Sequence, residues 1–149
     1  MDTIFVNTRD IPRKWYVVDA DGVVMGRLAA RVATILRGKH KAAFAAHQEM
    51  GDMVIVVNAE KIAVTGKKRS DKYYYRHSGY AGGFKQIPMG KMMQRRPTFP
   101  VEQAVKGMLP RNRLGRKLYR NLKVYAGPTH PHAAQQPEIL KIEAGGERG

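Results

Sequence analysis

Residues Met53-Val54-Ile55-Val56-Val57 make an unbroken apolar, largely β-branched run between Asp52 and Asn58, and no other segment constrains the fold as strongly. A strand with one wet face alternates apolar and polar residues. A strand that does not alternate needs cover on both faces, as in parallel sheets. Parallel neighbours cannot be joined by a tight turn, so a crossover has to connect them. The upstream residues supply one. Trp15-Tyr16-Val17-Val18 is a second short apolar run, stopped by the turn signal Asp19-Ala20-Asp21-Gly22. Between Gly26 and Arg37, Leu28, Val32 and Ile35 fall at i, i+4 and i+7, with Arg27, Arg31 and Thr34 on another face and Gly38 as a stop. Strand, amphipathic helix and strand predict a parallel pair with a right-handed crossover.

A chain of 149 residues is the length of one ordinary domain, and a single α/β domain over 1–149 is expected, with a less ordered tail from about 138. The middle is more irregular. Ile62-Ala63-Val64 reads as a short strand, Lys72 to Arg76 as an aromatic-rich one, and Ser78-Gly79-Tyr80-Ala81-Gly82-Gly83 as a flexible loop. Val101, Ala104, Val105, Met108 and Leu109 then fall at helical spacing, with Pro100 suited to the first turn and Pro110 ending the helix. A second short helix is predicted from Asn112 to about Asn121, followed by a last strand, Leu122-Lys123-Val124-Tyr125. After Gly127 the chain becomes rich in Pro, His, Gln and Gly, and no internal repeat is visible.

Charge separates this chain from an average globular domain. It holds 27 Lys and Arg against 12 Asp and Glu, a net charge of +15 with a pI near 10.3, while 43% hydrophobic residues still predict a packed core. The excess is concentrated. Residues 60–125 carry 17 basic and 3 acidic residues, whereas residues 1–59 carry 8 and 6 and residues 126–149 carry 2 and 3. This division points to a scaffold part joined to a binding part whose partner is a polyanion, nucleic acid first. A membrane is not expected, because neither a basic amphipathic helix with a Trp, Phe or Leu face nor a lipid-anchor motif is visible. The start Met1-Asp2-Thr3-Ile4-Phe5 lacks signal-peptide character, and the absence of cysteine excludes disulfides, thiolate nucleophiles and cysteine zinc sites, in keeping with a reducing cytosol.

The cations fall in clusters: Lys67-Lys68-Arg69, Arg95-Arg96, then Lys106, Arg111, Arg113, Arg116, Lys117, Arg120 and Lys123. Arg113, Lys117 and Arg120 share one face of the second short helix, with Leu114 and Leu118 on another, an arrangement able to follow a phosphate backbone. A solvated cationic face is the alternative for any single cluster. Together the clusters favour nucleic-acid binding, since few acids are available to offset their repulsion. Tyr73-Tyr74-Tyr75-Arg76-His77, with Tyr80 and Phe84, interleaves aromatic and basic groups able to stack on unpaired bases. In a strand, however, Tyr73 and Tyr75 oppose Tyr74, so at least one face belongs to the core. The expected RNA-contacting set also takes in Arg27, Arg31, Tyr74, Arg76, His77, His130 and His132.

Catalytic readings fail on their spacing. Thr65-Gly66-Lys67-Lys68 resembles the end of a P-loop but has Lys61 where Gly is needed and Lys68 where Ser or Thr is needed. No dinucleotide fingerprint and no nucleophile elbow occur. His130-Pro131-His132 lacks further metal ligands, and Asp19 and Asp21 suit a turn. No enzyme activity, catalytic residue, metal, cofactor or small-molecule substrate is expected.

Several ordered landmarks then resemble one family. They are Trp15-Tyr16-Val17-Val18-Asp19-Ala20 with Gly26-Arg27-Leu28-Ala29, Asn58-Ala59-Glu60-Lys61 with Thr65-Gly66-Lys67-Lys68, and His77-Ser78-Gly79-Tyr80-Ala81-Gly82-Gly83. Val105-Lys106-Gly107-Met108-Leu109-Pro110 with Gly115-Arg116, Leu122-Lys123-Val124-Tyr125-Ala126-Gly127, and His130-Pro131-His132 complete the set. From about residue 15 to about 137 the chain is similar to the thirteenth protein of the bacterial large ribosomal subunit. The resemblance implies a three-layer α/β/α fold with a small, mainly parallel sheet of about four strands and basic loop and helix extensions. It also implies 23S rRNA and neighbouring large-subunit proteins as partners, a cytoplasmic place in the 50S subunit, an early role in its assembly, and repression of its own messenger RNA. Residues 144–149 extend past the resemblance and are given no function. The runner-up is a regulatory DNA- or messenger-RNA-binding module, which would need a longer recognition helix than 112–121, interrupted as it is by Gly115. An enzyme acting on RNA stands third.

Overall fold

The computed structural model describes residues 3–143. In chain order its strands are β1 (Trp15–Asp19), β2 (Met53–Val57), β3 (Tyr73–His77), β4 (Phe84–Pro88), β5 (Leu122–Val124) and β6 (Glu138–Ile139). The helices are α1 (Met25–Arg37), α2 (Lys68–Asp71), α3 (Met89–Arg95), α4 (Phe99–Met108) and α5 (Arg113–Arg120). Four strands form a parallel sheet in the order β5-β2-β1-β6, and β3 with β4 forms a separate antiparallel hairpin. The α/β class with a small parallel sheet is therefore the observed one.

The apolar run Met53–Val57 is β2. It pairs with β1 from Trp15↔Met53 to Asp19↔Val57 and with β5 from Val54↔Leu122 to Val56↔Val124, so both its edges are taken. Val54, Ile55 and Val56 have no exposed surface. The crossover from β1 to β2 is α1, whose buried stripe is Met25, Leu28, Ala29, Val32, Ala33, Ile35 and Leu36. It ends where Gly38 turns left-handed at φ 85° and donates its N–H to the Thr34 and Ile35 carbonyls. A side chain there would run into the Met50 carbonyl, 2.7 Å from the position a Cβ would take. Helices α4 and α5 join α1 over Val18, Val54 and Val56, burying Val101, Val105 and Leu118. Since β5 and β6 occupy opposite edges, the connection 125–137 has to cross the sheet. Its His132 lies 5.3 Å from the Trp15 ring and 2.6 Å, at Nε2, from the Tyr125 hydroxyl.

Some elements differ from the expectations. Ile62-Ala63-Val64 makes no strand of the sheet. Ala63 forms a single parallel bridge to Val24, its backbone tied to Val23 and Met25 at the start of α1. Strand β4 and helix α3 stand where the sequence showed no element, because a two-stranded hairpin buries too little for clear alternation. The stretch from 138, expected as a less ordered tail, begins with β6 paired to β1 at Tyr16↔Glu138 and Val17↔Ile139, and Leu140 and Ile142 pack on the core. Residues 144–149 lie outside the described part. Among the described residues no helix is long and apolar enough to cross a membrane.

One buried ion cluster ties the entry of β2 to the loop after α1. Asp52 is 1% exposed and accepts from the Lys14 N–H at 3.0 Å, from Lys41 Nζ at 2.7 Å and from His40 Nε2 at 2.7 Å. Burial alone would push this carboxyl up. Lys41, the Lys14 N–H and His40 outweigh burial and hold it below its ordinary value. The stability it contributes is therefore complete above the unfolded carboxylate value of about 4 and is lost as pH falls through the lower folded value.

Two outcomes follow from this architecture. Ile55→Asp should cost upwards of about 5 kcal/mol and abolish cooperative thermal unfolding followed by circular dichroism, because a charge without a partner enters a strand covered on both faces. Asp52→Asn should lower stability at neutral pH by about 3 kcal/mol, and its disadvantage against the wild type should shrink on acidification below about pH 4. Parallel melting curves of the two proteins across that range would show that the carboxyl does not carry the effect.

Candidate nucleic-acid interface

The densest group of cations sits where α4 turns into α5. The Asn112 side chain caps α5 by accepting the Gly115 N–H at 2.8 Å. Gly115 itself rests on the turn, for a Cβ at that position would lie 1.7 Å from the Pro110 carbonyl oxygen. This close seat fixes the helix against the end of α4, and Leu118 anchors its inner side with no exposed surface. The outer side is left to Arg113, Arg116, Lys117 and Arg120, all exposed.

Between the two helices runs a groove of about 610 Å³ lined by Leu109, Pro110, Gly115 and Tyr119, with Lys106, Arg111, Arg116 and Arg120 around it. Four cations named from the sequence, from α4, the turn and α5, thus share one concavity, while Arg113 and Lys117 flank it. Lys106 Nζ stands 5.7 Å from the Tyr119 ring centroid. Burial first, then the Glu102 carboxylate, pushes the Tyr119 phenol up against the opposing Arg96 guanidinium, so Tyr119 stays a neutral hydrogen-bonding group. Arg96 is partly engaged within the fold, 3.9 Å from Glu102 and 5.5 Å from the Phe99 ring centroid.

Other predicted residues surround this centre to differing degrees. Ala30, Thr34 and Arg37 of α1 border a depression of about 460 Å³ shared with Met108, Leu109 and Pro110, which brings the exposed side of α1, with Arg27 and Arg31, alongside the end of α4. Lys67, Lys68 and Arg69 are exposed around α2, which packs on α3, and Arg95 is exposed at the end of α3. Lys123 is exposed on the edge strand β5. Arg76 and His77 belong to the separate hairpin.

Three predicted contacts are instead turned into the fold. Tyr74 is half-buried, edge-on to Phe99 at 5.2 Å, and burial pushes its phenol up. His130 and His132 are half-buried and stacked at 6.2 Å, with His132 held by Tyr125 and Trp15. Lys72, Lys85 and Lys91 are exposed cations outside the basic clusters, and the rings exposed on the hairpin and its turn are Tyr73, Tyr75, Tyr80 and Phe84. The rings stood out in the sequence as aromatics interleaved with bases, whereas these lysines carry no signal beyond their charge.

Asp19, His130 and His132 each have structural partners within the fold. Asp19 accepts from the Asn58 side-chain amide and the Asp21 N–H, each at 2.9 Å, and these bonds hold its carboxyl below the ordinary value. This is a turn, not a catalytic pair. Among the described residues no group of three or more His, Asp or Glu is placed to hold a metal ion.

The profile of the family described as Ribosomal protein L13 matches residues 13–131. The chain belongs to this family. Similar proteins include the large ribosomal subunit protein uL13 of Symbiobacterium thermophilum, 62% identical over 140 residues that cover 94% of this chain and 98% of the relative. The large ribosomal subunit protein uL13 of Thermobifida fusca is 57% identical over 146 residues, 96% of this chain and 98% of the relative. That of Treponema denticola is 54% identical over 142 residues, 95% and 100%. The family is one of structural ribosome components and not of enzymes.

The geometry separates charge from core, and this separation is open to measurement. Replacing Arg113, Lys117 and Arg120 together by Gln should leave the melting temperature nearly unchanged. The slope of log affinity for an rRNA fragment against log salt should flatten by up to about three, near one per lost phosphate contact. An unchanged slope would reduce this face of α5 to a solvated surface.

Proposed function

We propose that the chain is a structural constituent of the large subunit of the cytoplasmic ribosome, that it binds 23S rRNA, and that it acts early in assembly of that subunit. The observation that supports this most directly is the cationic groove between α4 and α5. Lys106, Arg111, Arg116 and Arg120 surround it, and among the described residues none of the four has a carboxylate partner. Phosphates offered by folded RNA relieve that repulsion, and contacts of this kind fix position on RNA by its shape. Arg27, Arg31, Lys67, Lys68, Arg69, Arg95 and Lys123 widen the footprint beyond the groove, and such breadth suits a protein enclosed by several RNA helices. Neighbouring large-subunit proteins then meet the surfaces the RNA leaves free. Repression of its own messenger RNA would use the same cations, because phosphate contacts carry no sequence information.

The test is partition. In a lysate fractionated by sedimentation, the protein should travel with large subunits and remain there through a moderate salt wash, since many phosphate contacts must release together. Recovery chiefly as free protein from growing cells would refute the ribosomal role.

A further inference from the structure

The hairpin of β3 and β4 is built differently on its two sides. Its register sets Tyr73 across from Pro88, Tyr75 across from Gln86 and His77 across from Phe84, so these six residues share one face. The other face holds Tyr74 with Ile87 and Arg76 with Lys85. Tyr74 and Ile87 are half-buried toward the body of the protein, which leaves the first face outward. That face has no Lys or Arg, in a chain of net charge +15. It instead exposes Tyr75 at 66%, Phe84 at 57% and Tyr73 at 39%, and the turn adds Tyr80 at 80%. The Tyr75 and Phe84 rings are near-parallel, 21° apart in plane and 5.6 Å between centroids.

We propose that this outward face is a stacking site for unpaired RNA bases, with the Tyr75 and Phe84 rings as its platform. The proposal rests on the RNA-binding reading above and names the chemistry of one part of it. Aromatic rings held open on a strand pair accept the face of any base, and neighbouring cations hold the phosphates between bases. The cations are present. Arg76 and Lys85 stand directly across from each other on the opposite face of the same two strands, both exposed, and neither makes an ion pair among the described residues. Like charges in that position repel unless an anion lies between them. An RNA segment that stacks on the rings and passes over the hairpin edge brings phosphates to that pair on the other face, which an apolar protein surface seated on the rings does not.

The turn prepares the platform. The Gly79 N–H donates to His77 Nδ1 at 2.9 Å, which fixes the ring and puts the proton of the neutral imidazole on Nε2, leaving a donor for a base edge. The Ser78 N–H donates to the Gly83 carbonyl at 3.2 Å and the Gly83 N–H to that of Tyr80 at 3.0 Å, so the tip is a closed turn. Gly79 at φ 88° and Gly82 at φ 72° give it a conformation that side chains resist.

The experiment uses the full chain and a 23S rRNA transcript as probe. Replacing Tyr75 and Phe84 together by Leu keeps apolar bulk and removes the ring faces. Affinity should fall roughly tenfold or more, with melting temperature and salt slope unchanged. Tyr75→Phe should bind within about twofold of the wild type, because stacking needs the ring and not the hydroxyl. Ultraviolet cross-linking of the wild-type complex, read by mass spectrometry, should place nucleotides on Tyr75 or Phe84. Wild-type affinity in the Leu variant, or cross-links that avoid the hairpin, would overturn the proposal; the broader RNA reading would survive if the Arg113, Lys117 and Arg120 variant still bound more weakly. Normal rRNA binding by the Leu variant with loss from large subunits would assign the face to a protein and likewise overturn it. A wild-type chain that fails to bind the transcript and to sediment with subunits would bring down the broader reading itself.

Discussion

Strand β2 has neither a free edge nor a wet face: β1 and β5 take its backbone groups, and Val54, Ile55 and Val56 have no exposed surface. A strand held this way tolerates no shift of register, because moving it by one residue exchanges the side chains of its two faces. It therefore fixes the positions of its neighbours, while the connection from β2 to β5 is free to be long. That connection, residues 58–121, carries α2, the hairpin, α3, α4 and α5, and with them nearly all of the net positive charge. Repulsion among those cations is thus kept out of the sheet. The connection returns to the core through apolar side chains, chiefly the stripes of α4 and α5 with Ile62 and Met89 beside them.

The distribution of acids follows the same division. Asp52 binds Lys41 and His40 at the entry of β2, Glu49 lies 3.4 Å from Arg13, and Asp19 closes a turn with Asn58. Within 60–125 the one ion pair among the described residues joins Arg96 to Glu102. The acids near the sheet work inside the fold, and the cations of the crossover are left for something outside it. An exposed ion pair is worth little to stability in any case, so the lack of partners around α5 costs the fold little.

Legibility in the sequence tracked burial. The run at 53–57, the stripe of α1 and the spacing of α4 declared themselves because each buries a continuous surface, and α5 was bounded by Asn112 and Asn121 as its caps. The hairpin was half legible. Tyr73-Tyr74-Tyr75 reads as a strand, but Phe84-Lys85-Gln86-Ile87-Pro88 buries only part of Ile87 and Pro88, too little for a pattern. Strand β6 is two residues long and is recognisable only by its partner β1. For the candidate site, residue type identified the cations, since exposed Lys and Arg are the default at a surface. Type could not orient the rings. Tyr74 differs from Tyr73 and Tyr75 only in parity, and which parity faced inward depended on Phe99, distant in sequence and brought in by α4. His132 likewise went inward because the crossing of 125–137 lays it on Trp15 and Tyr125, and His130 stacks on His132.

Helix α5 shows how a segment so charged remains a helix. It contains no acidic residue, and Arg113 in its first turn opposes the helix dipole, while Lys117 and Arg120 in its last turn favour it. A helix of this length would not hold in water by itself. Its order comes from contacts that involve no charge: the Asn112 cap, the seat of Gly115 on the Pro110 carbonyl, and the burial of Leu118 beneath α1 and α4. Because these contacts lie on the inner side, the outer side can be as cationic as a polyanion requires. The residues that make α5 a helix and those that make it cationic are therefore different residues, interleaved in sequence and separated only when the turns are wound.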